Sequence, residues 1–396
     1  MRWTRFSVGC LLVATLAAAG VAAISPTDVR AVARGNNTFA CDLYGQLRQN
    51  DGNIAISPFS VSAALAMTSL GARGRTAEEM RDTLHQPAVD ELHAITGGLA
   101  TGLQSSKTYE LRLLNTLWLQ TGTKVRPEFA ADLRKHYHAV PAEVDFSDGE
   151  LARKTMNAGV SESCGDRVRA VVPAGALIPQ THSAVTSVAY FRSGWAAPFR
   201  KDMTQLEEFA VAPDKRVRVP MMHQAAAYPY LDAAKYQAVE MPYAGERMAM
   251  VILLPKPGVT LTEVEKGLTP DQLTDLAAAL APEKIMMRLP RFKIGAPVCL
   301  DGALQKLGMA AAFTSDADLS GLNGGGPLAL GPVLHQATIT VDEDGSDALP
   351  LMVPTAAKSL APDKGAEFVA DHPFVVVLVE RASRTILFMG RVADPG

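Results

Sequence analysis

Cysteine is scarce in this 396-residue chain, with four in all. Cys10 lies in a leader-like start, leaving Cys41, Cys164 and Cys299 at wide and unpatterned spacing. That excludes a disulfide-stapled scaffold and any C-x-x-C metal or redox motif. An exported chain could still pair two of the three, and the spacing does not select which. As single residues they read as buried or inert thiols.

An excess of charge of one sign is also missing. Lys and Arg number 38 against 41 Asp and Glu, for a formal charge of −3, and loss of Arg2 and Arg5 with the leader takes it to −5. The densest basic group, Lys215, Arg216 and Arg218, is far short of the patch that phosphate backbones or polyanions require. Neither nucleic acid nor heparin is expected as a partner. Past the leader no apolar run is long enough to span a bilayer, so no membrane association is expected either.

Catalytic signatures are absent as well. There is no G-x-S-x-G elbow, S-x-x-K pair, H-E-x-x-H, Walker A or G-x-G-x-x-G loop. His136 and His138 form an H-x-H on a helical segment, where side chains two apart diverge, and read as structural. The acidic "DEDGSD" fails as a calcium loop. Counting back from Gly345 puts Thr340 at the first ligand position and Leu351 at the twelfth, where a bidentate Glu is needed. No enzyme, metal or cofactor is expected.

What is present begins with residues 1–23. Arg2 and Arg5 form a basic region, Phe6 to Ala19 an apolar core, and Val21-Ala22-Ala23 a small-residue cleavage site. An uncleaved anchor is the alternative, but the run is short and lacks a basic stop. A signal peptide of residues 1–23 and a single domain of residues 24–396 are expected. The mature protein would be extracellular, or periplasmic in a bacterium. With 48% hydrophobic and 20% charged residues, the composition is globular.

Phe39, Leu43 and Leu47 at four-residue spacing predict a helix. Ser57-Pro58 opens a second, running through Ala64, Met67 and Leu70. Thr76 with Glu79 reads as a capping box for a third. Alternation from Tyr109 to Leu119 predicts a strand with one apolar face, broken by Asn115, which needs a partner if buried. Further strands are predicted at 185–191, 248–254 and 285–294, and two more in the tail "FVVVLVERASRTILFMGRV". Early helices followed by antiparallel strands indicate α+β rather than alternating βαβ.

Six segments in order resemble the serpin family. They are "NIAISPFSVSAALAMTSLGARGRTAEEM" (53–80), "SVAYFRSGWAAPF" (187–199), "VPMMHQ" (219–224), "ADLSGL" (317–322), "HQATITVDEDGSDA" (335–348) and the closing "ADHPFVVVLVERASRTILFMGRVADP". The resemblance covers essentially all of the chain after the leader. It implies a monomer with the serpin fold: three β-sheets, eight or nine helices, and an exposed reactive-centre loop at about 345–366 above a five-stranded sheet.

The activity implied is inhibition of a serine protease, trypsin-like or elastase-like, or of a cysteine protease. The protease cleaves the loop, remains acyl-linked, and is dragged away as the loop inserts into the sheet. The hinge would be Glu343, Asp344, Gly345, Ser346, Asp347 and Ala348. Glu343 is expected to pair with Arg291 beside Trp195. Ser57, Ser60 and His335 match polar residues that rearrange as the sheet opens, and Ser187 stands where the family usually has Asn.

Counting fourteen residues from Gly345 gives Ser359-Leu360 as the reactive bond. One residue fewer gives Lys358-Ser359, which suits a trypsin-like pocket. Leu349, Pro350 and Leu351 replace the small residues usual after the hinge. A non-inhibitory serpin (carrier, chaperone or binding module) is therefore the alternative.

Overall fold

The structure is a computed structural model that describes residues 25–347 and 365–396, apart from 90, 105, 166, 167, 169, 326 and 327. The leader, Ala348, Leu349, Pro350 and the reactive-bond residues Lys358, Ser359 and Leu360 lie outside the described residues.

Helix α1 (Pro26–Leu47) starts where the Ser25 side chain accepts the Thr27 N–H, and it buries Phe39, Leu43 and Leu47 as their spacing predicts. Strand β1 (Ile54–Ile56) leads to α2 (Pro58–Ser69), capped by Ser57 with Pro58 in its first turn. Apolar residues on all sides of α2 are buried, because it passes between layers and packs on both sheets.

Helix α3 (Gly74–Thr83) begins two residues before the expected cap, and no side chain caps it. Thr76 Oγ1 instead accepts the Asp318 N–H at 2.9 Å and Glu79 Oε2 the Ala311 N–H at 2.7 Å. The capping-box pattern is thus spent on tying down a distant loop. After α4 (Leu92–Leu103) and β2 (Tyr109–Gln120) comes α5 (Pro127–Tyr137), which ends at left-handed His138. His136 lies 6.4 Å from the His93 ring, and no group of three metal-ligating side chains occurs among the described residues.

Next are β3 (Ala142–Val144), α6 (Gly149–Cys164) with its Asp148 cap, and β4 (Ser183–Gly194). Four strands follow: β5 (Gln205–Ala212), β6 (Lys215–Asp232), β7 (Tyr236–Pro242) and β8 (Met248–Pro255). Helices α7 (Leu261–Lys266) and α8 (Pro270–Ala279) precede β9 (Ala281–Pro290), β10 (Phe292–Ile294) and β11 (Val298–Cys299). Two short helices, α9 (Asp301–Lys306) and α10 (Ser320–Asn323), lead to β12 (Val333–Val341) and β13 (Gly345–Ser346). The chain closes with β14 (Ala366–Val369), β15 (Phe374–Glu380) and β16 (Ile386–Val392).

One sheet has the five-strand path β10-β12-β4-β2-β3, with β11 paired to β12 and β13 to β4. The other runs β1-β16-β15-β8-β7-β6-β9-β14, with β5 on β6. Of the three sheets the resemblance implies, two are joined here, because the 18-residue β6 pairs in turn with β5, β9 and β7. Ten α-helical segments occur among the described residues against eight or nine expected, and α10 is a single turn.

The strand expected at 285–294 is two strands in different sheets, since β9 pairs with β6 and β10 with β12. Arg291 marks the crossing. Helix α6 covers the outer face of the first sheet through Met156 and Val160, with Val188 and Leu334 in the same cluster.

Cys41 and Cys299 are free thiols. Cys41 and Cys164 are buried as expected, but Cys299 is exposed at the end of the two-residue β11. Burial pushes the Cys41 thiol up to about 12, so it is unreactive. Asn36-Asn37-Thr38 has the N-x-T pattern of a glycosylation sequon, but Asn36 is buried and its Nδ2 donates to Ile386 O, so the folded site leaves no room for a glycan. Among the described residues no helix is long and apolar enough to cross a membrane.

Candidate functional site

Strands β4 and β12, at the middle of the first sheet, pair in parallel from Val333↔Val185 to Thr338↔Tyr190. Beyond Thr338 they part. Strand β12 continues against β10, with Ile294↔Ile339 to Phe292↔Val341, while the end of β4 takes β13 as its partner. Gly345 pairs with Gly194 and Ser346 with Ser193, antiparallel to β4. The seam is therefore closed below and open above, with two residues of the expected hinge seated in the opening. A strand running down between β4 and β12 would replace one parallel contact by two antiparallel ones, the stronger pairing per residue.

The turn into β13 is built by Asp342, whose Oδ1 accepts the N–H groups of Asp344 at 2.9 Å and Gly345 at 3.0 Å. Gly345 has φ +154°, and a Cβ there would lie 2.0 Å from Ser193 O. Its glycine is required by this close approach as well as by the backbone angle.

The expected pair forms. Glu343 accepts from Arg291 Nε at 2.8 Å and Nη2 at 2.5 Å, and from Thr204 Oγ1 at 2.5 Å. Glu343 is 2% exposed and Arg291 44%, so this is no loose surface pair. Burial alone would raise the Glu343 carboxyl, but the donated hydrogen bonds outweigh it and hold the group below its usual range. Asp344, by contrast, makes an exposed pair with Lys201 at 2.6 Å.

Trp195 is buried at the same place. Its backbone N–H donates to Asp344 O at 2.9 Å and its Nε1 to Asp342 O at 3.0 Å. Its ring stacks on Tyr243, centroids 4.4 Å apart, and the Tyr243 hydroxyl meets Ser346 Oγ at 2.5 Å. Asp347, the last described residue of the hinge, has φ +41°, and Arg192 Nε donates to its carbonyl at 2.8 Å.

Lower in the seam the expected polar residues meet. His335 Nδ1 donates to Ser187 O at 2.9 Å, which leaves Nε2 to accept the Ser57 N–H at 2.9 Å. Burial drives the imidazole down to about 4 against a smaller opposing effect of Ser187, so it is neutral at pH 7. Ser57 Oγ donates to Leu387 O at 2.7 Å, and Ser187 Oγ to Ser60 Oγ at 3.0 Å. Ser60 Oγ donates in turn to Asn115 Oδ1 at 2.9 Å, and Asn115 Nδ2 returns a bond to Ser60 O at 3.0 Å.

Asn115, on β2, thus supplies the amide that the resemblance would place on β4, where Ser187 stands. The polar break in β2 was the only signal for it. Tyr243 and Arg192 carried none, because their partners are remote in sequence.

A family model described as "Serpin (serine protease inhibitor)" matches residues 34–395. The chain is 38% identical to an uncharacterised serpin-like protein of Thermococcus kodakarensis over 91% of this chain and 84% of that protein. It is 35% identical to leukocyte elastase inhibitor of Bos taurus over 91% of this chain and 98% of the other. Among solved structures it resembles human thyroxine-binding globulin complexed with thyroxine, with TM-score 0.86, 28% identity, and coverage of 93% of this chain and 99% of that one. On the match across residues 34–395 and these relatives, the chain belongs to the serpin family.

Proposed function

We propose that this serpin is an exported suicide inhibitor of a trypsin-like or elastase-like serine protease. The observation that carries the reading is the parted β4–β12 seam with Gly345 and Ser346 already lying antiparallel along β4. The chain that follows has a ready path into the sheet, and the gain in antiparallel pairing supplies part of the driving force. The nucleophile belongs to the protease, and the serpin itself catalyses nothing. Similarity to leukocyte elastase inhibitor supports a protease target, and the leader at residues 1–23 supports action outside the cytoplasm by a single domain, residues 24–396.

The reactive bond is Lys358-Ser359 or Ser359-Leu360. Both are tested by incubating the mature protein with trypsin and with elastase. An SDS-stable complex is expected, with a released C-terminal fragment beginning at residue 359 or 360, readable by mass spectrometry. Leu349 and Pro350 favour a second reading, a non-inhibitory serpin that is cut as a substrate. Complete cleavage with no complex from either protease would establish that reading over the first.

A further inference from the structure

Arg192 holds the hinge in a manner the insertion reaction must undo. Its Nε donates to Asp347 O at 2.8 Å and lies 3.3 Å from Asp347 Oδ2. Its Nη1 donates to Glu110 Oε2 at 3.3 Å, across the β2–β4 ladder. Glu110 also accepts from Arg112 and from the Tyr190 hydroxyl, both at 3.1 Å. The Arg192 side chain is 15% exposed, so the guanidinium is fixed between the sheet and the hinge.

Register identifies what this contact opposes. Strand β13 pairs Gly345 with Gly194 and Ser346 with Ser193, so the next rung down β4 would set Asp347 opposite Arg192. Asp347 is instead left-handed, at φ +41°. Aspartate tolerates that conformation better than most residues, but a strand does not contain it. To add the rung, Asp347 must turn to extended angles and its carbonyl must leave Arg192.

We infer that Arg192 is a clasp on Asp347 that sets how fast the loop enters the central sheet. This rests on the insertion reading above. Once the rung has formed, the two side chains face each other on one side of the sheet, where opposite charges pair favourably. The ion pair is therefore recoverable and only the grip on the carbonyl is lost. The clasp acts on the rate of insertion and leaves the stability of the inserted form nearly unchanged.

The test uses the mature protein, nicked in the loop by a brief protease pulse. Conversion to the heat-stable form is then followed by melting timed samples and by Trp fluorescence. Arg192→Met should convert about ten-fold faster than the parent, in line with loss of a hydrogen bond from a charged donor. Asp347→Asn, which keeps the left-handed preference but loses the ion pair, should convert roughly three-fold faster. Neither variant should reach a higher final melting temperature than the parent, because only the parent regains the cross-strand pair, so faster conversion without a more stable product separates the clasp from a merely structural role. Added salt should speed the parent and leave Arg192→Met unchanged.

If the parent converts and neither variant is faster, the clasp is refuted while the insertion reading stands. If Arg192→Met misfolds, Asp347→Asn alone decides, and an unchanged rate there overturns the inference. A parent that never becomes heat-stable defeats the insertion reading, and the clasp with it.

Discussion

Nε2 of His335, on β12, accepts the backbone N–H of Ser57, the cap of α2, at 2.9 Å. A helix that runs between the two sheets is thereby tied to a strand of the opening seam by a nitrogen that must stay unprotonated.

Burial lowers the His335 pKa from 6.5 to about 4 in the folded protein. The unfolded chain therefore binds the proton first as the pH falls. The stability due to neutral His335 is present above about pH 6.5 and is lost progressively down to about pH 4, a total near 3 kcal/mol. Urea midpoints for the parent should fall more steeply over that interval than those of His335→Gln, which should also be less stable at pH 7. Parallel pH curves for the two would show that His335 does not supply this dependence.

Asn115 and Ser60 hold each other through two hydrogen bonds, Ser60 Oγ to Asn115 Oδ1 and Asn115 Nδ2 to Ser60 O. Asn115→Ala leaves the buried hydroxyl and carbonyl of Ser60 short of partners and should destabilise by about 1–3 kcal/mol. Ser60→Ala should cost a similar amount. The double variant should fall short of their sum by about 0.5 kcal/mol or more, as for residues in one network. Strict additivity in chemical denaturation would mean that the two side chains are independent.

Gly345 stands where a Cβ would meet Ser193 O at 2.0 Å, with φ at +154°. Gly345→Ala should unseat β13 and destabilise the intact protein by about 1–3 kcal/mol. Trp195 donates to the carbonyl of Asp344, so its fluorescence should shift in the same variant. An unchanged spectrum and midpoint would show that β13 is not docked in solution.

Much of this site is legible in the sequence. Alternation located β2, apolar strand-like runs pointed to β4, β8, β15 and β16, and Ser57-Pro58 marked the start of α2. The Glu343–Arg291 pair, and the meeting of Ser57, Ser60, Ser187 and His335, came from the family resemblance. What local pattern could not supply was partnership over distance. Thr76 and Glu79 look like a cap because cap chemistry and tertiary anchoring use the same side chains. The run 285–294 shifts phase at Pro290-Arg291, its buried positions passing from 285, 287 and 289 to 292 and 294, and reading it as one strand overlooks that shift. Asn115 was visible as an oddity, and only the approach of α2 to β2 explains it.

Pro350 decides how the proposed reaction partitions. Trapping and hydrolysis compete from one acyl-enzyme, so the ratio of products reports the speed of insertion. Continuing the register of β13 down β4 would bring Leu349 opposite Tyr190 and Pro350 opposite Ala189. Proline has no N–H to give to the ladder, so one bond is forgone early, before the protease has travelled far. A barrier increase of about 1.4 kcal/mol slows insertion roughly ten-fold. The expected outcome is inhibition with several serpin molecules cleaved for each protease trapped. Leu349→Ala with Pro350→Ala should bring that number toward one when a trypsin-like and an elastase-like enzyme are titrated with both forms. If the parent already titrates one to one, Pro350 does not slow insertion. If the double variant is still only cut, the obstacle lies elsewhere in the chain, and the non-inhibitory reading gains.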